Sequence, residues 1–599
     1  MTSGPFLPGY VLYVLEIMLP GIGVGELLGL WGGKSMGERL GMALGLGLGV
    51  DTVVMLVKTS GLQVGGLALR GLGPSVPYFL IVAGSAAFVV SLAWRRRASI
   101  IVKPTWTDAF LSLVIFVLGG ILWLYFQKYP IFPQYYSQDF AVHVQIAEGL
   151  ISGSSTSVPA GALYYGVHYQ LASAFLLVGG EHLVTARVTM ALLVLLSPLL
   201  VFWAASEIAE DRRAGLAVAA LYSLSGTIWY SGVLDSGLYP NFFGILAVLL
   251  LIGCYARLSS DLRSARLWLV FLLATVTAYF SHYTAITVVP ALFVFPLIEV
   301  VRRGKTSWKL FVPPLVFAAP GLAGAAADPA LVSRLIYLAL QGGGRLVAQT
   351  PLSKALADAP VLSYMAVLTY DDVAFVTMMV LAAVSVLWGR SKKGLYYVPL
   401  IWLVSLVLAA PISLDAWRFS YEGLVPFLIM AGFGFYLVLP KKGFERKRRG
   451  ASKSVWLVLT AMVLLLLLVA GSWGTTVFSD SVGNPGQSSA VQAQVYDAIY
   501  WLGGHTPQNS TYLSVSDFRF IYSSLFIGRT TYYQFISEPL NATAEARTVG
   551  AEYVIVTKAV TENLPPVAQL FPWNNFPTSS SSNLTLLYNT TDVRIYQIA

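Results

Sequence analysis

Charge is scarce in this chain, and cysteine scarcer. Only 11% of its 599 residues are Asp, Glu, Lys or Arg, against about 25% in a soluble globular domain. A chain this poor in charge must be solvated mostly by something other than water. One cysteine, Cys254, is present, which excludes a disulfide framework, a CxxC redox pair and a cysteine zinc site. Long hydrophilic segments are missing until about residue 475.

What stands in their place is hydrocarbon, with 56% of the residues hydrophobic. Apolar runs of about 17 to 25 residues recur through the first 475 positions, each enough to cross roughly 30 Å of bilayer core. One cleavable signal peptide cannot account for so many. The formal net charge of +9 reflects basic loops at alternate spans, not an affinity for nucleic acid, and no nucleic-acid partner is expected.

Those loops set the expected topology. Basic clusters lie at residues 95–97 with Lys103, at Arg212-Arg213, 257–266, 302–305, 390–393 and 441–453. The segments between them, near 128–182, 231–238, 281–283, 323–372 and 411–418, are poor in Lys and Arg. The positive-inside rule assigns the first set to the cytoplasm and the second to the outside. Eleven spans follow from Arg95, near 107–127, 183–209, 214–232, 238–256, 265–281, 284–301, 307–322, 373–389, 395–411, 419–439 and 454–473, and three more precede it, near 8–30, 40–58 and 76–94. The expected fold is an all-α polytopic bundle of about fourteen transmembrane helices. It divides into an N-terminal three-span extension (1–100), a transmembrane module (101–474) with outer loops 128–182 and 323–372, and a C-terminal domain (475–599).

The C-terminal domain opens on a Gly/Ser/Pro-rich linker, 479–489. It continues with an amphipathic helix at 491–502 and strands at 512–515, 553–557 and 593–598, which predicts a small α/β domain. Four Asn-x-Ser/Thr sequons, at Asn509, Asn541, Asn583 and Asn589, all fall in it. They suit an extracytoplasmic surface, the side the charge rule gives this domain.

The candidate chemistry lies in the outer segments. Asp139 and His143 are four apart and share a helical face if a helix starts at Asp139; Asp139 as a helix cap is the plainer reading. His168 and Tyr169 lie on the same loop, Asp235 and Tyr239 on the next outer turn, and His282 on the third. Ionisable groups held at a bilayer surface by a bundle are functional candidates, although tyrosines there also belong to the aromatic belt. Arg187 and Arg418 each stand near the outer end of a span, either as snorkelling anchors or as holders of an anion.

Residues 107–303 resemble the GT-C superfamily of polytopic glycosyltransferases, in particular the branch with protein O-mannosyltransferases and aminoarabinose transferases. The likeness rests on Asp139, Glu148-Gly149, the Pro/Tyr-rich stretch from Val158 to Tyr169, Ala186-Arg187-Val188, Asp211 to Ala214 and Leu234-Asp235 in that order. Residues 418–426, Arg-Phe-Ser-Tyr-Glu-Gly-Leu-Val-Pro, are similar to an Arg-Tyr-Leu-Pro-like segment of those enzymes. Phe140 stands where the family often has a second acidic residue. The Trp-Trp-Asp signature of oligosaccharyltransferases is absent, which speaks against transfer of a whole glycan to Asn. The three extra spans resemble an extension of archaeal members.

The resemblance implies a polyprenyl (dolichyl) phosphate-linked sugar as donor, used at the outer face of the plasma membrane, and a protein or lipid acceptor. Asp139 would be the general base. Arg418, or secondly Arg187, would bind the departing phosphate. His143, His168, Tyr169, Asp235, Tyr239, His282 and Tyr421 would line the pocket. No cofactor is required, though a divalent metal could sit among Asp139, Asp235 and His143. The rivals are a transporter or lipid flippase, for which inverted repeats or paired broken helices would speak, and a scaffold that presents the C-terminal domain.

Overall fold

The computed structural model describes residues 7–59, 73, 75–95, 102–132, 138–152, 164–225, 233–234, 237–303, 305–327, 372–388, 394–409, 416–438, 489–515, 518–533, 536, 538–558, 572–581 and 583–598. The apolar runs form helices, because only a helix satisfies every backbone N–H and C=O within one segment in hydrocarbon. They are α1 (Leu7–Leu28), α2 (Met36–Thr59), α3 (Ser75–Arg95), α4 (Trp106–Lys128), α5 (Gln138–Ser152), α6 (Tyr165–Val178), α7 (His182–Ala209) and α8 (Arg212–Leu224). Then come α9 (Tyr239–Ser260), α10 (Ala265–Ser281), α11 (Val289–Arg303), α12 (Val312–Ala327), α13 (Asp372–Trp388), α14 (Val398–Ala409) and α15 (Ala416–Val438). Seven of the described helices are long and apolar enough to cross a membrane, and six more apolar helices are shorter. By that measure the chain is a membrane protein. The expected span at 454–473, most of loop 323–372 and nearly all of the linker 479–489 lie outside the described residues.

Small residues set the closest approaches. A side chain at Gly47 would run into the carbonyl oxygen of Ile17, and one at Gly21 into that of Ala43, so α1 and α2 touch backbone to backbone. Around this pair, α3 packs on α1, α7 on α2, α8 and α9 on α7, and α15 on α8 and α13.

The turns that carry Arg212 and Arg257, and the residues just after Lys103, gather with the α1–α2 turn at one end of the bundle. Lys34 pairs with Glu207 at 2.7 Å and Arg212 with Glu38 at 2.8 Å. Arg257 donates to the Leu30 carbonyl at 2.9 Å, and Asp108 accepts from Ser35 and Gly37 at 2.8 and 2.9 Å. Loops that the charge rule sets on one side thus meet each other. A cavity of about 690 Å³ opens here, lined by Lys34, Glu38, Glu207, Asp211 and Arg212 among others.

The C-terminal domain holds α16 (Ser489–His505), β1 (Tyr512–Ser514), α17 (Ser523–Ile527), β2 (Thr531–Tyr533), α18 (Pro539–Val549), β3 (Tyr553–Thr557), α19 (Pro572–Asn575), β4 (Leu584–Asn589) and β5 (Val593–Ile598). Its sheet runs β2-β1-β3-β5-β4, with β1 parallel to both neighbours and β5 antiparallel to β3 and β4. The central β3, Tyr-Val-Ile-Val-Thr, is buried along its whole length, as a strand covered on both faces must be. Arg529 fastens the sheet to α16 by donating to the Leu502 and Gly503 carbonyls at 2.7 and 2.9 Å, where a cation suits a helix C-terminus. All four sequon asparagines are exposed.

The domain docks on the other end of the bundle. The Gln492 side-chain oxygen accepts from the N–H groups of Ile131 and Phe132 at 3.2 Å each. Phe132 stacks on Tyr522, with ring centroids 5.9 Å apart.

Candidate functional site

The docked end carries histidines of the segments that the charge rule assigns to the outside. α5 and α6 belong to the connection between α4 and α7; with 15 and 14 residues neither spans roughly 30 Å at 1.5 Å per residue. α5 brings His143 to its inner face, and Tyr164 stands at the cap of α6 with His168 one turn on. The Tyr164 N–H donates to His168 Nδ1 at 3.0 Å, which satisfies one of the N–H groups left open at a helix start. His168 therefore carries its proton on Nε2, which lies 3.0 Å from His143 Nδ1. Donation along this line leaves the His143 ring proton on Nε2. His168 is completely buried, and burial first, then the neighbouring His143, push its pKa well below the usual histidine value.

Tyr164 joins this pair to a second cluster. Its ring packs 5.3 Å from His282, which ends α10 in extended backbone. His282 Nδ1 stands 3.6 Å from Glu422 Oε1, and that oxygen accepts from Asn241 Nδ2 at 2.8 Å. Tyr239 closes the circle, with its ring 6.1 Å from His143 and 5.3 Å from Phe140. Five segments far apart in sequence thus meet: α5, α6, the start of α9, the end of α10 and the first turns of α15.

The expected residues divide. His143, His168, Tyr239 and His282 come together. Tyr169 does not: next to His168 on a helix, it faces elsewhere and donates to Glu16 of α1 at 2.7 Å, deep in the bundle. Tyr421 is completely buried, and its neighbour Glu422 is the α15 group that reaches the cluster. Asp139 lies within the first turn of α5, past the cap position. Arg418 lies within the first turn of α15. The side chains of both, and Asp235 altogether, lie outside the described residues. Gly237, at φ +67, presses on Phe140, with a built Cβ 2.9 Å from that residue's backbone, so the turn before α9 touches the start of α5.

Arg187 does not snorkel. It is fully buried and donates to the Tyr129 carbonyl and the Tyr125 hydroxyl at 2.9 Å each, tying α7 to the end of α4. Its Nε and the Tyr239 hydroxyl have no hydrogen-bond partner among the described residues.

Glu422 and Asn241 are the members that sequence reasoning passed over as functional. Glu422 stands inside the 418–426 segment and Asn241 inside the expected span 238–256, and the signal was a polar residue in each of two apolar runs. Among the described residues, no three His, Cys, Asp or Glu side chains are arranged to hold a metal. No family model matches the chain, and no curated protein matches it.

Proposed function

We propose that the protein is a polytopic membrane glycosyltransferase with about fourteen spans. It moves a sugar from a polyprenyl-phosphate donor to a protein or lipid acceptor at the outer face of the plasma membrane. The observation that carries the reading is the convergence of His143, His168, His282, Glu422 and Asn241 at the end of the bundle where Asp139 lies in the first turn of α5. Inverting transfer needs a base to take the acceptor hydroxyl proton, and Asp139 fills that role. The phosphate leaves with growing negative charge, which Arg418 stabilises through the planar fork of its guanidinium. Arg187 already spends two of its five N–H donors on Tyr129 and Tyr125, which ranks it second for the phosphate. The docked C-terminal domain screens the reacting groups from water.

Incubation of purified protein with radiolabelled polyprenyl-phosphate sugars and a membrane extract tests this. Label should enter a new product, and Asp139→Asn should lower transfer by about 10² to 10⁴ at unchanged thermal stability. A variant that keeps more than a tenth of the activity removes Asp139 from the role. Sidedness has its own test. A cysteine at exposed Asn541 should react with a membrane-impermeant thiol reagent in intact cells, and one at exposed Arg263 should not. The reverse pattern inverts the topology.

A transporter or flippase is the second reading. It is favoured by two carboxylates, Glu16 and Asp51, buried along α1 and α2 away from either end.

A further inference from the structure

Glu16 lies midway along the 22 residues of α1, and Asp51 two-thirds of the way along the 24 residues of α2. Both are completely buried. They flank the tightest contact of these helices, since Glu16 adjoins Ile17, whose carbonyl meets Gly47, one turn before Asp51.

One face of α6 closes over them. Tyr169 donates to Glu16 Oε1 at 2.7 Å, and the next residue, Gln170, donates to Asp51 Oδ2 at 2.7 Å. Gln170 in turn accepts from Tyr13 at 2.8 Å, one turn before Glu16. Each carboxylate thus has one oxygen held by a neutral donor. The other oxygens, Glu16 Oε2 and Asp51 Oδ1, have no hydrogen-bond partner among the described residues. Neither carboxylate has an ion pair there.

Ser173 adds an independent sign. It is completely buried, one turn beyond Tyr169 on the same face of α6. Its hydroxyl lies beside the Glu16 carboxyl without closing a hydrogen bond to it or to any other described group. Glu16 Oε2, its neighbour, is likewise open among the described residues, so both oxygens can turn toward a third group. Three hard oxygens from three helices therefore converge where hydrocarbon makes an unbalanced carboxylate costly.

We propose that Glu16, Asp51 and Ser173 form a monovalent-cation site, with sodium as its ligand. Carboxylate and hydroxyl oxygens suit a hard ion. One sodium ion leaves one negative charge, which a proton retained on the second carboxyl neutralises. Coupled carriers likewise hold their cations between helices within the bilayer. The site is separate from the histidine cluster and stands whether or not sugar transfer is found.

The test is binding of radioactive sodium to the full chain in lipid nanodiscs, at pH about 8, where histidine is uncharged. Saturable binding of one ion per chain is expected, displaced by sodium chloride and not by choline chloride. Glu16→Gln and Asp51→Asn should each weaken it by at least tenfold, about 1.4 kcal/mol, while the thermal midpoint holds or rises. Should neither variant fold, Ser173→Ala carries the test: binding weakened several-fold supports the site, and unchanged binding overturns it. Absence of saturable binding overturns the proposal. So does a thermal midpoint that follows pH and ignores sodium, which would make the carboxylates a proton-sharing pair only.

Discussion

Tyr496 of the C-terminal domain donates its phenol proton to Glu181 of the α6–α7 turn at 2.9 Å, across 315 positions of sequence. Tyr500, one turn further along α16, donates to the same carboxylate oxygen. One acidic side chain thus latches a soluble domain to a membrane bundle. Glu181→Ala should loosen that latch by about 1–2 kcal/mol, since hydrogen bonds to a charged acceptor are worth about 1.5–3 kcal/mol each and Tyr500 is exposed to solvent. Hydrogen exchange in α16 should quicken while exchange in α7 does not change; equal protection in the variant would deny the latch.

The histidine pair should respond to acid. The fold binds the uncharged His168 ring, whose pKa burial has lowered. Its stability contribution is therefore whole above the unfolded histidine value, near 6.5, and is lost as pH falls from there toward the lower folded value. Below pH about 6 the protein should melt earlier, and His168→Gln should blunt that fall. A wild-type midpoint that stays level from pH about 7 to 5 would contradict the buried neutral ring.

The two arginines should part company. Arg187→Lys cannot reach both the Tyr129 carbonyl and the Tyr125 hydroxyl, and should cost about 2 kcal/mol of stability. Arg418→Lys should leave stability alone and raise half-saturation by donor about tenfold, or 1.4 kcal/mol. Donor titration and thermal melts on both variants separate the roles. Equal half-saturation for Arg418→Lys and wild type would return Arg418 to the anchors.

Gly237→Ala is a test of the turn before α9. Alanine is disfavoured at φ +67 and its methyl would press on the Phe140 backbone, a combined cost of about 1–3 kcal/mol. The α5 segment should then exchange its amide hydrogens faster, and unaltered exchange would mean the turn yields freely.

Some of this was legible in residue order, for physical reasons. α16, β3 and β5 were readable because 3.6-residue spacing, the β-branched run of β3 and the Val, Ile and Tyr of β5 are local patterns. β2 and β4 were not: Thr-Tyr-Tyr is too short to show a period, and β4 carries the bulge between Leu586 and Tyr588. The histidines stood out because each is rare and near a span end. Tyr169 misled, because adjacent positions on a helix point about 100° apart, and only α1 decides which of the two faces the bundle. Glu16 and Asp51 were passed over since one carboxylate in a long apolar run alters its hydropathy little, and their closeness depends on how α1 crosses α2.

Gln492 holds the ends of residues separated by 360 positions, Phe132 and itself, and that separation is also an interval of time. At about 5–20 residues per second of synthesis, α5 and its His143 wait roughly 20–70 seconds at the membrane before α16 emerges to cover them. During that interval nascent chains expose Phe132 and Phe140 without their partner Tyr522. The cell must hold this half-built surface apart from its neighbours until the Gln492 side chain and Tyr522 arrive to cover it.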